Sequence, residues 1–203
     1  MKQFAVMLLV IANASVCRGV DDEEIQALRK QVAELTERVT RLERALNASQ
    51  NQNSRSEQVD RQRTKARERM AKDKEIYSQT QLREIESLYQ VANQKWQTEE
   101  GKNSLKELVK KYDKANRTGC AILYLGQMSE GSEKEEYLQK AIADFSDCWY
   151  GDGVQVGPFA RFILAAHLKD QKQNDQADVL LKDLARLYPD AIDHRGQLLL
   201  NPN

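Results

Sequence analysis

Near the start of the chain, apolar residues recur at alternating spacings of three and four: Ile25, Leu28, Val32, Leu35, Val39, Leu42 and Leu46. With Ile, Val or Leu at each a position and Leu at each d, this stripe predicts a coiled-coil segment over residues 21–47. The flanking charges suit parallel copies in register, Glu24 facing Arg29 and Arg38 facing Glu43 of a neighbour. The a/d choice favours two strands. Arg38-Val39-Thr40-Arg41-Leu42-Glu43 instead matches a short trimerisation signature, Arg-apolar-x-x-apolar-Glu. The expected state is a homotrimer, with a dimer as the alternative. Barely three heptads are marginal alone, so a helix folded back on its own chain also satisfies the pattern.

Beyond Leu46 the stripe stops. Residues 48–75 open with an Asn/Ser/Gln tract; then, over the twelve residues 61–72, Arg61, Arg63, Lys65, Arg67, Arg69 and Lys72 face the single acid Glu68. This predicts a polar/basic linker or stalk, a solvated helical spacer; contact with an anionic surface is the other reading. Helical periodicity returns over residues 76–203. Leu82, Ile85, Leu88, Tyr89, Ala92 and Trp96 share one face, and a break is expected at Glu99–Asn103. A second helix follows through Leu105, Leu108, Val109 and Tyr112, then a turn at Asn116–Gly119. Further helices are expected at Ala121–Met128, Tyr137–Phe145, Phe159–Leu168 and Asp175–Tyr188, with a Gly-rich loop at Gly151–Gly157. The fold class is all-α: an N-terminal coiled-coil helix followed by short antiparallel helix pairs.

Ahead of the stripe, Lys2 precedes an apolar run from Phe4 to Ala12, and Ala12 and Ala14 form an A-x-A end. This predicts a secretory signal peptide over residues 1–20. The run is far shorter than the roughly 20 residues that cross a bilayer, so the chain is expected not to span a membrane. Cys17 raises a lipoprotein signal as the alternative, which the bulky Val16 before it disfavours. Basic and acidic residues balance at 31 each in the 203-residue chain. Loss of Lys2 and Arg18 with the leader leaves a net charge of about −2, which does not steer the protein to nucleic acid. Scarce Gly and Pro and abundant charge agree with a largely helical chain.

Leu164-Ala165 is followed by Ala177, Leu181, Leu184 and Pro189 at the small–apolar–Pro spacing of the tetratricopeptide repeat. Upstream, Leu125-Gly126 is followed by Leu138, Ile142 and Phe145 at the same spacing, without the Pro. Small residues at such positions let paired helices approach closely. The two units lie about 39 residues apart rather than about 34, and Leu82–Tyr112 reads as an earlier, degenerate unit. Leader, trimer-type coiled coil, polar linker and C-terminal repeats together resemble the periplasmic coiled-coil/tetratricopeptide family of Gram-negative bacteria associated with the Tol–Pal system. In residues the resemblance rests on Arg38–Arg44 and on Ala121-Ile-Leu-Tyr-Leu-Gly126-Gln127. It implies a periplasmic adaptor that coordinates outer-membrane constriction with peptidoglycan synthesis during division. The Gly151–Gly157 loop, the cysteine pair and the weak first repeat depart from that family.

By the same resemblance, positions on the first helices of successive repeats form the partner-binding face. Here these are Leu123, Gln127 and Glu130, then Phe159, Phe162 and Lys169, for an envelope protein or peptide segment. Leu123 and Phe162 serve equally well as core between repeats. Trp149-Tyr150 reads either as a partner anchor or as a hydrophobic cap. Cys120 and Cys148 fall at adjacent ends of one helix pair and are expected to form a disulfide, worth about 3.5 kcal/mol in the chain-entropy model; two buried thiols are the alternative. No cofactor or metal is expected: His167 and His194 have no partners at ligand spacing, and Asp152 alone cannot build a Ca²⁺ loop. The expected function is therefore a non-enzymatic, oligomeric adaptor of the envelope. Its rivals are a structural spacer or chaperone-like protein and a regulator of a cell-wall hydrolase.

Overall fold

The structure, a computed structural model, describes residues 22–200. The predicted leader, Cys17 included, lies outside the described residues. The described chain is all-α: α1 (Asp22–Ile76), α2 (Gln79–Gln94), α3 (Glu99–Lys111), α4 (Asn116–Met128), α5 (Gly131–Asp144), α6 (Val156–Asp170) and α7 (Asn174–Leu187). It divides into two units, one ending at Asn51 and the other beginning at Gln52, so the boundary falls within α1. In the first unit the stripe from Ile25 to Leu46 is helical and solvent-exposed, from 37% at Ile25 to 68% at Leu42. Arg38 and Glu43 are exposed beside it.

In the second unit the helices pack as successive pairs, α2 with α3, α4 with α5 and α6 with α7, and the first helices α2, α4 and α6 pack on one another. This is a helical-repeat arrangement, and its core runs from Ile85 and Tyr89 through Leu105, Ile122, Leu123 and Leu138 to Leu168. Gly126 does what the repeat spacing requires: a Cβ there would stand 3.0 Å from Leu138 Cδ2. The first turns of α3 and α4 were expected to be breaks, because Gly101, Asn103, Asn116 and Gly119 read as turn residues. They are helical. Thr98 caps α3 by accepting the Gly101 N–H at 3.1 Å. Gly119 is needed for close approach, since its Cβ would meet Cys148 Cβ at 2.5 Å.

Each second helix ends on an aromatic residue followed by the same turn. Ala115 N–H donates to Tyr112 O, Cys148 N–H to Phe145 O and Ala191 N–H to Tyr188 O, each at 3.1 Å. After α5 and α7 that turn continues into matching hairpins. Tyr150 N–H donates to Val154 O and Asp193 N–H to Gln197 O, both at 2.8 Å, and Gly153 and Gly196 take positive φ at the two tips. The predicted Gly-rich loop is the first of these hairpins, and its insertion explains the lengthened repeat.

The expected spacer over 48–75 is helical, as anticipated, but it is not a free stalk: from Gln52 onward it belongs to the compact unit. Ala66 is buried, and Arg55, Gln58, Gln62, Arg69 and Asp73 bond to the three turns in succession. Arg55 donates to Gly196 O (2.9 Å) and Arg195 O (2.6 Å), and Gln58 and Gln62 to Asp190 O. Arg69 pairs with Asp147 at 3.0 Å and with Asp73 at 2.9 Å. Asp73 accepts the Asn116 N–H through both oxygens, 2.9 and 3.1 Å, capping α4, whose own N-cap residue is Ala115. Because these contacts are polar, no apolar stripe announces them. Of the basic run, Arg69 is thus committed, while Arg61 and Arg63 lie near Glu57 and Asp60 at 3.9 and 3.8 Å.

The disulfide expectation is also corrected: Cys120 and Cys148 are free and buried. Cys120 Sγ lies 3.4 Å from Trp149 O, and Cys148 Sγ 3.7 Å from Arg69 Nη2. The two helix ends do meet, but each sulfur faces a neighbour of its own, a carbonyl for Cys120 and the α1 arginine for Cys148.

Replacing Asp73 with Ala strips the α4 cap and leaves Arg69 with one acid. Asp73→Ala is expected to lower stability by about 2 to 3 kcal/mol, and Asp73→Asn, which keeps an acceptor, by less. Urea unfolding of the full chain, followed by circular dichroism, checks this; an unchanged midpoint for Asp73→Ala would refute the capping role.

Candidate functional site

A cleft of about 320 Å³ opens where α2 and α4 pack side by side. Tyr89 and Asn93, one turn apart, come from α2; Arg117, Tyr124 and Gln127, on one face by their spacing, come from α4. The first hairpin adds Tyr150, Gly151 and Asp152, and the second adds His194. Tyr89 and Tyr124 rings lie 6.0 Å apart, and Trp96, just past the end of α2, stacks on Tyr124 at 4.5 Å. Trp96 remains 41% exposed, an unusually open position for so large an aromatic.

Two ion pairs stand at this cleft. Arg117 donates to Glu86 from Nε (2.8 Å) and Nη2 (3.2 Å), and its guanidinium lies 4.5 Å over the Tyr89 ring. Partial burial opposes the Arg117 charge, and Cys120, the Glu86 carboxylate and Tyr89 together outweigh it. His194 Nδ1 stands 2.7 Å from Asp152 Oδ2, its ring edge-on to Tyr150 and Phe159 at 4.9 and 5.1 Å. For Asp152, burial works against ionisation, but the bond from His194 and the Val154 N–H outweigh it and hold its pKa below the usual carboxylate value.

The phenols are held neutral. Burial pushes the pKa of Tyr89, Tyr124 and Tyr150 up, and Tyr150 Oη donates to Cys120 O at 3.2 Å. Burial likewise pushes the Cys148 thiol up to about 12 and the Cys120 thiol higher still, so neither is a ready nucleophile. The lining contains an Asp–His pair but no Ser, Thr or Cys for it to activate. Among the described residues no group of three or more His, Cys, Asp or Glu is placed to hold a metal ion. The lining thus offers rigid rings, amides, the Arg117 guanidinium and the Asp152–His194 pair.

Of the residues assigned to partner binding, Gln127 lines the cleft and Phe159 borders it through His194. Leu123 is fully buried in the core and unavailable, because the α4 face that lines the cleft is that of Arg117, Tyr124 and Gln127. Phe162 packs with Leu184, Ala191 and Leu199. Glu130 is exposed at the start of α5, and Lys169 faces Asp178 at 3.7 Å, both outside the cleft. Trp149 is buried as a cap, while its neighbour Tyr150 is a cleft residue. His167 lies 3.3 Å from Glu135, linking α6 to α5. Arg117, Asp152 and His194 carried no signal at sequence level, since hairpin closure alone brings them together. No helix among the described residues is long and apolar enough to cross a membrane. No family model, curated protein or solved structure matches the chain.

Because the folded pKa of Asp152 is lowered, its stabilising effect is full above the unfolded value of about 3.9 and is lost as pH falls through the folded one. Asp152→Asn is therefore expected to be less stable than the wild type at pH 6, by no more than about 1 kcal/mol for so exposed a pair. The two should converge below pH ~3. Thermal unfolding across this range checks it; a gap that persists in acid would refute the assignment.

Proposed function

We propose that the protein is an exported, non-enzymatic adaptor that holds a segment of a partner protein in the α2/α4 cleft and self-associates through its heptad stripe. The observation that carries this reading is the cleft itself. It is formed by the first helices of two successive pairs, walled by rings and amides, and its titratable groups are paired or held un-ionised. Such a site suits a peptide's backbone and side chains.

Seven exposed apolar side chains on one helix face support self-association. Burying a Leu, Ile or Val is worth about 1.5 to 3 kcal/mol, so the stripe would supply on the order of 10 kcal/mol per chain. That is comparable with the roughly 4 to 15 kcal/mol that association costs, as fits a short coiled coil. The Arg38–Glu43 signature makes three copies the proposed number. The leader and the resemblance to the Tol–Pal-associated family make the periplasm the proposed compartment, and envelope maintenance or division the proposed process. The docking of Arg55 and Arg69 on the repeat turns weighs against a spacer that acts through a free basic stalk.

Full-chain protein should sediment as a trimer, and Leu35→Asp with Leu42→Asp as a monomer of unchanged repeat-domain stability. Peptides selected from a random library on the full chain should lose about tenfold or more in affinity on Tyr124→Ala, as for an aromatic anchor. The monomeric variant should keep affinity for a single peptide but lose retention on a surface bearing many copies. Selected peptides indifferent to Tyr124→Ala would refute the cleft, and an unchanged mass for the stripe variant would refute the coiled coil.

A further inference from the structure

We infer that the segment taken by the cleft carries a carboxylate beside an aromatic ring, with Arg117 meeting the carboxylate and the Tyr124–Trp96 stack meeting the ring. This rests on the cleft being the peptide site and specifies what that site selects.

Arg117 occupies the first turn of α4, the end of a helix where the backbone dipole disfavours a cation. Its charge is nonetheless fixed there, by Glu86 on one edge and the Tyr89 ring beneath. Glu86 engages Nε and Nη2 and the buried Cys120 thiol lies beside the guanidinium, while no carboxylate meets its Nη1 among the described residues. Arg117 lines the cleft and Glu86 does not. A ligand therefore meets the cation, already oriented, and not its counter-ion.

The opposite wall does not offset this. Asp152 is the acid of the lining, and it is engaged by His194 and by the Val154 N–H at 3.3 Å. An incoming ammonium would face the Arg117 charge and find the Tyr89 face already covered by it. A neutral group would exclude water from Nη1 without replacing a charge-assisted bond. A carboxylate satisfies that edge. Gln127 and Asn93 border the same space and offer amide donors and acceptors for the adjoining peptide backbone.

The ring has its own support. Tyr124 forms part of the wall, and Trp96 stacks on it with an interplanar angle of 32° while staying exposed. Two rings held against each other lose little conformational freedom when a third packs on them, which is how aromatic residues supply contact area at low entropic cost.

The test uses the full chain and calorimetric titration with acetylated, amidated nine-residue peptides that differ only after a central Tyr: Asp, Asn or Lys. A fourth peptide ends in Tyr with a free C-terminal carboxylate. The Asp peptide should bind about tenfold more tightly than the Asn peptide, the Lys peptide more weakly still, and the gap should shrink with added salt. Arg117→Gln should abolish the Asp/Asn gap. The wild-type comparison stands even if that variant is unstable. The C-terminal arm tells a side-chain carboxylate from a chain end, and tight binding of either supports the inference. Equal or tighter binding of the Asn or Lys peptide, still lost on Tyr124→Ala, overturns this selectivity and leaves the site standing. Failure of every peptide to bind, or binding indifferent to Tyr124→Ala, overturns both.

Discussion

The carboxylate of Asp73 caps α4 from another helix, and much of the repeat unit depends on that arrangement. α4 carries the central strip of core, Ile122, Leu123 and Leu125, yet begins at a residue with no capping side chain. Two oxygens from α1 accept its first buried N–H, and Arg69 holds that carboxylate in place while reaching Asp147 on the next turn. A helix start left without partners would cost the desolvation of its N–H groups. Cap and ion pair together set where α1 lies along the ends of the pairs.

That placement has a counterpart in the turns it meets. Three second helices end on Tyr112, Phe145 and Tyr188 and close with the same backbone bond, so α1 finds a similar polar surface at each step. The two later turns extend into hairpins whose tips approach α1: a Cβ on Gly153 would stand 3.0 Å from Gln62 Cβ, and one on Gly196 2.8 Å from Val59 Cγ2. The same hairpins supply Tyr150, Asp152 and His194 to the cleft. Scaffold and site are thus joined through two short turns, beside which the buried Asn116 bonds to both backbone groups of Trp149 and the buried Gln62 donates to Asp190 O.

Legibility along the chain followed the kind of contact. Helices whose inner faces are apolar, α2, α6 and α7, were readable within a few residues from Leu, Ile and Ala periodicity. The starts of α3 and α4 were misread because Gly101 and Gly119 serve close approach rather than turning. The docking half of α1 was misread because Gln, Arg and Asp make its contacts, and such residues look the same when solvated. Within the cleft, Gln127 was readable from the repeat pattern. Arg117, Asp152 and His194 were not, since they are distant in sequence and meet only through the hairpins.

By itself the sequence determined the all-α class, the heptad stripe and the pairing of helices, because apolar spacing dictates which faces must be covered. Tertiary structure alone decided that the basic segment is a strap on the repeats, that the two cysteines stay apart as thiols, and which side of α4 lines the cleft. Those outcomes turn on polar groups satisfying one another across long stretches of chain. A hydrogen bond between distant residues leaves no period in the sequence, whereas a buried apolar face does.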